Sequence, residues 1–163
     1  MTEERRAKPG QESVWDYPRP PAAVEVPRSI RVVFGGQTIA ETNRPIKVME
    51  TSHPPVYYIP AEDVRVEYLS PSGHHTVCEY KGVASYWHVS VAGREVHNAG
   101  WSYENPSPGY EPLAHYIAFY PALMDECTVD GERVTPQPGR FYGGWITSEV
   151  VGPFKGEPGT LGW

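Results

Sequence analysis

Apolar and polar positions alternate with a period of two through the middle of the chain, the spacing of strands that bury one face. In Ser85-Tyr86-Trp87-His88-Val89-Ser90-Val91, Trp87, Val89 and Val91 fall on one face and Tyr86, His88 and Ser90 on the other. Gly93 turns this run towards a further strand over 94–99. Earlier, Ile30-Arg31-Val32-Val33-Phe34 leads through Gly35-Gly36 into Thr38-Ile39-Ala40-Glu41-Thr42, a hairpin by residue type and spacing. Residues 46–51 and 56–59 predict the next pair, separated by His53-Pro54-Pro55. Residues 60–63 predict a turn or single helical turn, and 64–69 alternate again as a strand would. A proline- and tyrosine-rich loop is expected over 103–112, then strands over 115–120 and 127–129, with Asp130-Gly131 folding the chain back towards Val134. No helical period is sustained and no internal repeat is present. The chain reads as all-β.

Composition supports this. Eighteen Pro and sixteen Gly in 163 residues favour short strands and tight turns over long helices. Hydrophobic residues make up 39% but aromatics reach 12%, with five Trp and eleven Tyr, so the expected core leans on large rings that also carry a polar tip. The length fits one domain. A formal charge of −6 speaks against a nucleic-acid backbone as partner, which needs clustered Lys and Arg. No apolar run approaches a membrane span, and the first ten residues lack the apolar stretch of a secretory signal. Cys78 and Cys127 are too few for a disulfide framework or a four-thiolate zinc site, and two reduced thiols fit a cytoplasmic address.

Residues 1–29 are polar and carry Pro18, Pro20, Pro21 and Pro27, which work against regular pairing and predict an N-terminal arm docked by Trp15 and Tyr17. Residues 136–163 hold Gly at seven positions along with Phe141, Tyr142, Trp145, Phe154 and Trp163, a tail with ring anchors. The expected organisation is an arm over 1–29, a β domain over 30–145 and a Gly/Pro-rich tail over 146–163.

Candidate chemistry centres on Thr76-Val77-Cys78-Glu79-Tyr80-Lys81-Gly82, which sets a cysteine and a lysine inside an apolar, aromatic, strand-like run. Cysteine is the strongest side-chain nucleophile, and a buried lysine is costly without a partner. In an extended strand Cys78 and Lys81 face opposite sides with Cα atoms about 10 Å apart, so a direct dyad needs a bulge or turn at Gly82. Glu50, Tyr58, Asp63, Trp101 and Tyr103 are the residues expected to converge with them on a pocket, with Trp101 and Tyr103 contributed by a loop beside glycine and proline. The blander readings stand beside this one: Cys78 as a small core residue, Lys81 ion-paired with Glu50 or Asp63, and the rings closing a β core. His74-His75 sit in a Ser-Gly context that suggests an exposed loop. His53, His88, His97 and His115 show no His-x-His or Glu-x-x-His spacing, so no metal or other cofactor is expected.

From Ile30 to about Val134 the chain resembles the domain of unknown function family 427, which also carries a nucleotidyltransferase-like label. The matching residues are Glu50, Val56-Tyr57-Tyr58-Ile59-Pro60, Asp63, Leu69, the 76–82 motif, Ala84, Tyr86, Gly100-Trp101-Ser102-Tyr103, Pro106 and Ala118-Phe119-Tyr120. Trp15-Asp16-Tyr17-Pro18 and Phe141-Tyr142-Gly143-Gly144-Trp145 are similar to longer bacterial members. Glu79 stands where many members carry proline. The resemblance implies a compact β-tent (Mss4-like) fold, two sheets around an aromatic core, here without the zinc site of related folds. It does not settle an activity. Nucleotidyl transfer wants paired carboxylates for magnesium and donors for a triphosphate, and neither an Asp-x-Asp pair on a strand nor a glycine-rich loop feeding a helix is present.

Two functional classes follow. One is a domain that binds an unidentified small organic molecule in an aromatic-walled pocket, with Lys81 or Cys78 as candidate catalytic groups. The other is a non-catalytic interaction module that grips a partner protein through exposed Trp/Tyr/Pro loops. Thiol redox chemistry would need Cys127 as resolving cysteine. Homo-oligomerisation through the arm or tail is left open.

Overall fold

The structure, a computed structural model, describes residues 7–138 and 143–157. Its strands in chain order are β1 (Glu12–Ser13), β2 (Ala22–Glu25), β3 (Ile30–Phe34), β4 (Gln37–Thr42), β5 (Ile46–Met49), β6 (Val56–Pro60), β7 (Leu69–Cys78) and β8 (Gly82–Val91). They continue with β9 (Arg94–Ser102), β10 (Tyr116–Phe119), β11 (Glu126–Val129), β12 (Glu132–Arg133), β13 (Thr135–Pro136), β14 (Trp145–Ile146) and β15 (Val150–Val151). Seven strands form one sheet in the order β2-β5-β6-β10-β9-β8-β7, and four form a second, β12-β11-β3-β4. Two small pairs, β1 with β15 and β13 with β14, complete the pairing. Helical structure among the described residues is limited to 3-10 turns of three residues each, so the fold is all-β. No helix there is long and apolar enough to cross a membrane.

Turn chemistry sets the hairpins. Gly35-Gly36, Ala92-Gly93 and Asp130-Gly131 each have positive φ at both positions. That backbone matches the twist of the flanking strands and favours glycine. Gly35 is constrained a second time, because an added Cβ would lie 2.9 Å from Cβ of Val91.

Period-two alternation then sorts the side chains. On β6, Tyr57 and Ile59 turn to the face that shares a core with Ile30, Val32 and Phe34 of the four-stranded sheet, and Trp145 closes that core fully buried. Tyr58 turns to the opposite face, where Val48, Ala84, Trp101 and Ala118 form a second, aromatic cluster. A third cluster joins Val14 and Tyr17 to Val150 and Phe154, and the indole Nε1 of Trp15 donates to the carbonyl of Pro153 at 3.0 Å. Phe141, Tyr142 and Trp163 lie outside the described residues.

Four local expectations change. Residues 76–82 are not one strand: β7 ends at Cys78 and β8 begins at Gly82, whose φ of +109° takes the chain through a turn. Within 64–69, Val66–Tyr68 is a 3-10 turn, and Val64 makes only an isolated bridge to Ala40. His74 and His75 belong to β7, which accommodates Gly73 by a register shift between Pro71 and His75. Finally, Ala22–Glu25 pairs with Ile46–Met49 inside the segment expected to resist pairing. Those four residues lie between Pro21 and Pro27 and pair on one side only, the edge position that flanking prolines tolerate.

Candidate functional site

The second face of the seven-stranded sheet gathers most of the residues singled out from the sequence. Trp101 is not in a loop: it sits in β9 between Tyr86 of β8 and Ala118 of β10. Its indole Nε1 donates to Oη of Tyr58 at 3.0 Å, with the two rings at 85° and 6.1 Å between centroids. Tyr103 tilts against Tyr58 at 6.3 Å and Tyr120 against Trp101 at 4.6 Å. Burial holds the Tyr58 hydroxyl well above the ordinary phenol range, although hydrogen bonding to Trp101 and Tyr103 works the other way. Burial, and then the neighbouring Tyr58, do the same for Tyr103. Both phenols are therefore neutral at physiological pH. Tyr103 and Tyr110 are 5% and 8% exposed, so the proline- and tyrosine-rich loop turns its rings inward and offers no exposed aromatic grip.

That loop also buries Lys81. Lys81 lies in the turn between β7 and β8, where its carbonyl accepts the backbone N–H of Ser107 at 2.9 Å. Gly82 makes room for this contact, since an added Cβ would stand 3.1 Å from Oγ of Ser107. Lys81 is 9% exposed, with Nζ 5.9 Å from the Tyr103 ring centroid. Among the described residues its ammonium makes no hydrogen bond and no ion pair. The structural ion pairs with Glu50 or Asp63 considered from the sequence are not formed.

Beside Lys81 lies a cavity of about 110 Å³. Val48, Pro54, Val56 and Tyr58 give it apolar walls, while Glu50, His53, Lys81 and Gln137 supply the polar groups, and Gly143 completes the lining. The segments reach this place by long-range backbone pairing. The Lys155 N–H donates to the Ser52 carbonyl at 2.7 Å and the Trp145 N–H to the Pro55 carbonyl at 2.8 Å, while the His53 N–H closes a local turn on the Glu50 carbonyl at 3.0 Å. Gln137 is locked at the junction: its Oε1 accepts the Gly144 N–H at 3.0 Å and its Nε2 donates to the Lys155 carbonyl at 2.7 Å. Nε2 also lies 3.5 Å from Nδ1 of His53. Burial lowers the His53 pKa, with Lys155, Arg19 and Lys81 pushing the same way and Glu50 opposing. The imidazole is thus neutral near pH 7. Glu50 has a distant partner in Arg19, at 3.9 Å.

Of the sequence candidates, Glu50, Tyr58 and Lys81 line this cavity, and Trp101 and Tyr103 stand behind it in the aromatic cluster. Cys78 packs half-buried against the same cluster and is not among the lining residues. Asp63 lies elsewhere, accepting from Oγ1 of Thr42 at 2.7 Å and standing 3.6 Å from Nε of Arg44. His53, Gln137 and Gly143 were not singled out. The glycine pair at 143–144 was the available signal, since a glycine can mark close backbone approach. Among the described residues no group of three or more His, Cys, Asp or Glu side chains is placed to hold a metal ion.

No curated protein gives a significant match to the chain. A family model described as a domain of unknown function (DUF427) matches residues 22–130, from β2 through β11, and so includes the whole seven-stranded sheet, three strands of the four-stranded sheet and the Lys81 turn. The chain belongs to the DUF427 family.

Proposed function

We propose that this protein binds a small organic molecule carrying a carboxylate or carbonyl oxygen in the cavity beside Lys81. The observation that carries the reading is the ammonium of Lys81, nearly buried and without a counter-ion among the described residues. An unpaired buried charge is costly, and an anionic or strongly polar ligand oxygen would relieve that cost. Tyr58, Val48 and Val56 suit the apolar body of such a molecule, Gln137 supplies a further polar contact, and Glu50 can accept from a donor group elsewhere on it. Since a water needs about 10–15 Å³, a cavity of about 110 Å³ suits a compact metabolite rather than a nucleotide. Lys81 lines the cavity and Cys78 does not, so a covalent step there would fall to the Lys81 amine rather than to the thiol.

Calorimetric titration of wild-type protein and Lys81→Met with a panel of small carboxylates and carbonyl compounds tests this. The expected result is a binder whose affinity drops at least about tenfold in Lys81→Met while the variant stays folded. Equal affinity in the two proteins, or no binder in the panel, would overturn it.

A second reading rests on a separate observation. Val77 and Val83 are cross-strand partners, 79% and 51% exposed, at the outer end of the seven-stranded sheet, where β7 is the edge strand. An exposed apolar pair on an edge suits a protein partner that adds a strand. Val77→Lys should abolish such an association in size-exclusion chromatography with light scattering and leave the Lys81 cavity untouched.

A further inference from the structure

A larger cavity, of about 330 Å³, has a different chemistry from the first. Three aromatic residues from three places in the fold line it: Trp87 of β8, Tyr103 just after β9 and Tyr116 of β10. Glu104 is the one carboxylate among the lining residues and neither lysine nor arginine lines the cavity, the Lys81 ammonium lying 5.9 Å from the Tyr103 ring centroid; the other titratable side chains there are His115, Tyr103 and Tyr116. Trp87 has already satisfied its polar tip, because Nε1 donates to Oγ of Ser102 at 3.0 Å. What the indole offers a ligand is therefore its π surface. Tyr103 and Tyr116 are likewise held as neutral phenols, burial raising both above their ordinary range.

We propose that this cavity binds a small quaternary or heavily alkylated ammonium cation. Electron-rich ring faces attract a cation, and more strongly once it is desolvated. A quaternary ammonium has no N–H groups to leave unpaired and is weakly hydrated, so it enters an apolar, ring-lined space more readily than a lysine-like ammonium does. Glu104, exposed beside the cavity, supplies the complementary charge and disfavours anions. Ala61 and Ile117 add apolar contact for the alkyl groups. The volume suits a molecule of the size of choline.

The test compares choline with 3,3-dimethylbutan-1-ol, which has the same shape and no charge, by following the Trp87 indole N–H resonance in titrations of the full chain. Choline should shift that resonance saturably, and the neutral alcohol should bind at least about tenfold more weakly, a difference of about 1.4 kcal/mol. Glu104→Gln lies on the surface and should fold normally while weakening choline several-fold; Tyr116→Leu should weaken it further. The proposal fails if the alcohol binds as tightly as choline, if Glu104→Gln leaves choline affinity unchanged, or if choline at tens of millimolar produces no saturable shift. Glu50→Gln, at a residue that lines only the smaller cavity, should leave this binding intact, which separates the result from any outcome there.

Discussion

The ammonium of Lys81 stands 5.9 Å from the centre of the Tyr103 ring. Lys81 lines the smaller cavity and Tyr103 the larger, so this one contact joins the two candidate binding places. A cation over a ring is a weak substitute for a counter-ion, worth about 0.5–2 kcal/mol depending on desolvation. Replacing Lys81 with methionine removes the charge and keeps most of the volume. The expected thermal midpoint of Lys81→Met is equal to or above that of the wild type, measured by scanning calorimetry. A clear drop in midpoint would show that the lysine serves the fold.

Tyr58 and Trp101 are coupled through one buried hydrogen bond. Tyr58→Phe leaves the Trp101 indole N–H without its acceptor and should cost about 1–3 kcal/mol in denaturant unfolding. Pairing Tyr58→Phe with Trp101→Phe removes both polar groups. The double variant should lose less than the sum of the two single losses, a coupling that a double-mutant cycle reads directly.

Gly143 lies against the same tryptophan. A Cβ there would approach Cη2 of Trp101 to 2.5 Å, inside contact distance. Gly143→Ala should destabilise by about 1–3 kcal/mol through overpacking. Trp101→Phe lacks the ring atom that collides, so the alanine should cost much less in that background.

His53 gives stability a pH dependence. Its folded-state pKa is depressed, chiefly by burial, so between the folded and unfolded values the unfolded chain binds more protons. Stability is then full above about pH 6.5, the ordinary histidine value, and falls as pH drops towards the folded value. The lowered carboxylates Glu12, Asp125 and Asp130 act in a more acidic range. Urea midpoints between pH 7 and 5 should decline in the wild type and flatten in His53→Gln.

The two thiols should separate by reactivity. Cys127 is 3% exposed, and burial pushes its pKa up to about 12, so it stays a protonated core side chain. Cys78 is half-buried at the end of β7. Under native conditions a thiol reagent should modify Cys78 alone, and denaturation should release Cys127. Rapid native modification of both would contradict the placement of Cys127 in the main core.

Local rules written in the chain reached far into the fold. Alternation at 85–91 places Val89 and Val91 in the main core and Tyr86 on the aromatic face, as the period of two requires. Gly35-Gly36 and Asp130-Gly131 act as hairpin turns because positive φ is a property of a few adjacent residues and of missing side-chain atoms. The DUF427 motifs belong to the same legible layer, since they are runs of neighbouring residues. Tertiary structure decided everything that depends on distant segments meeting. Lys81 is buried because Ser107 and Tyr103, more than twenty positions later, fold over its turn. Gln137 and Gly143 enter the cavity because the Gln137 side-chain amide bonds to the Lys155 carbonyl and the Trp145 N–H to the Pro55 carbonyl, and no periodicity encodes such contacts. Asp63 shows the converse: its neighbours in the motif converge on the cavity, but Thr42 and Arg44 are nearer and satisfy its carboxylate. Backbone geometry within a strand is a local property and can be read from the residues in it. Which charges end up paired, buried or left facing a cavity depends on loop closures across tens of residues, and only the packed chain determines it.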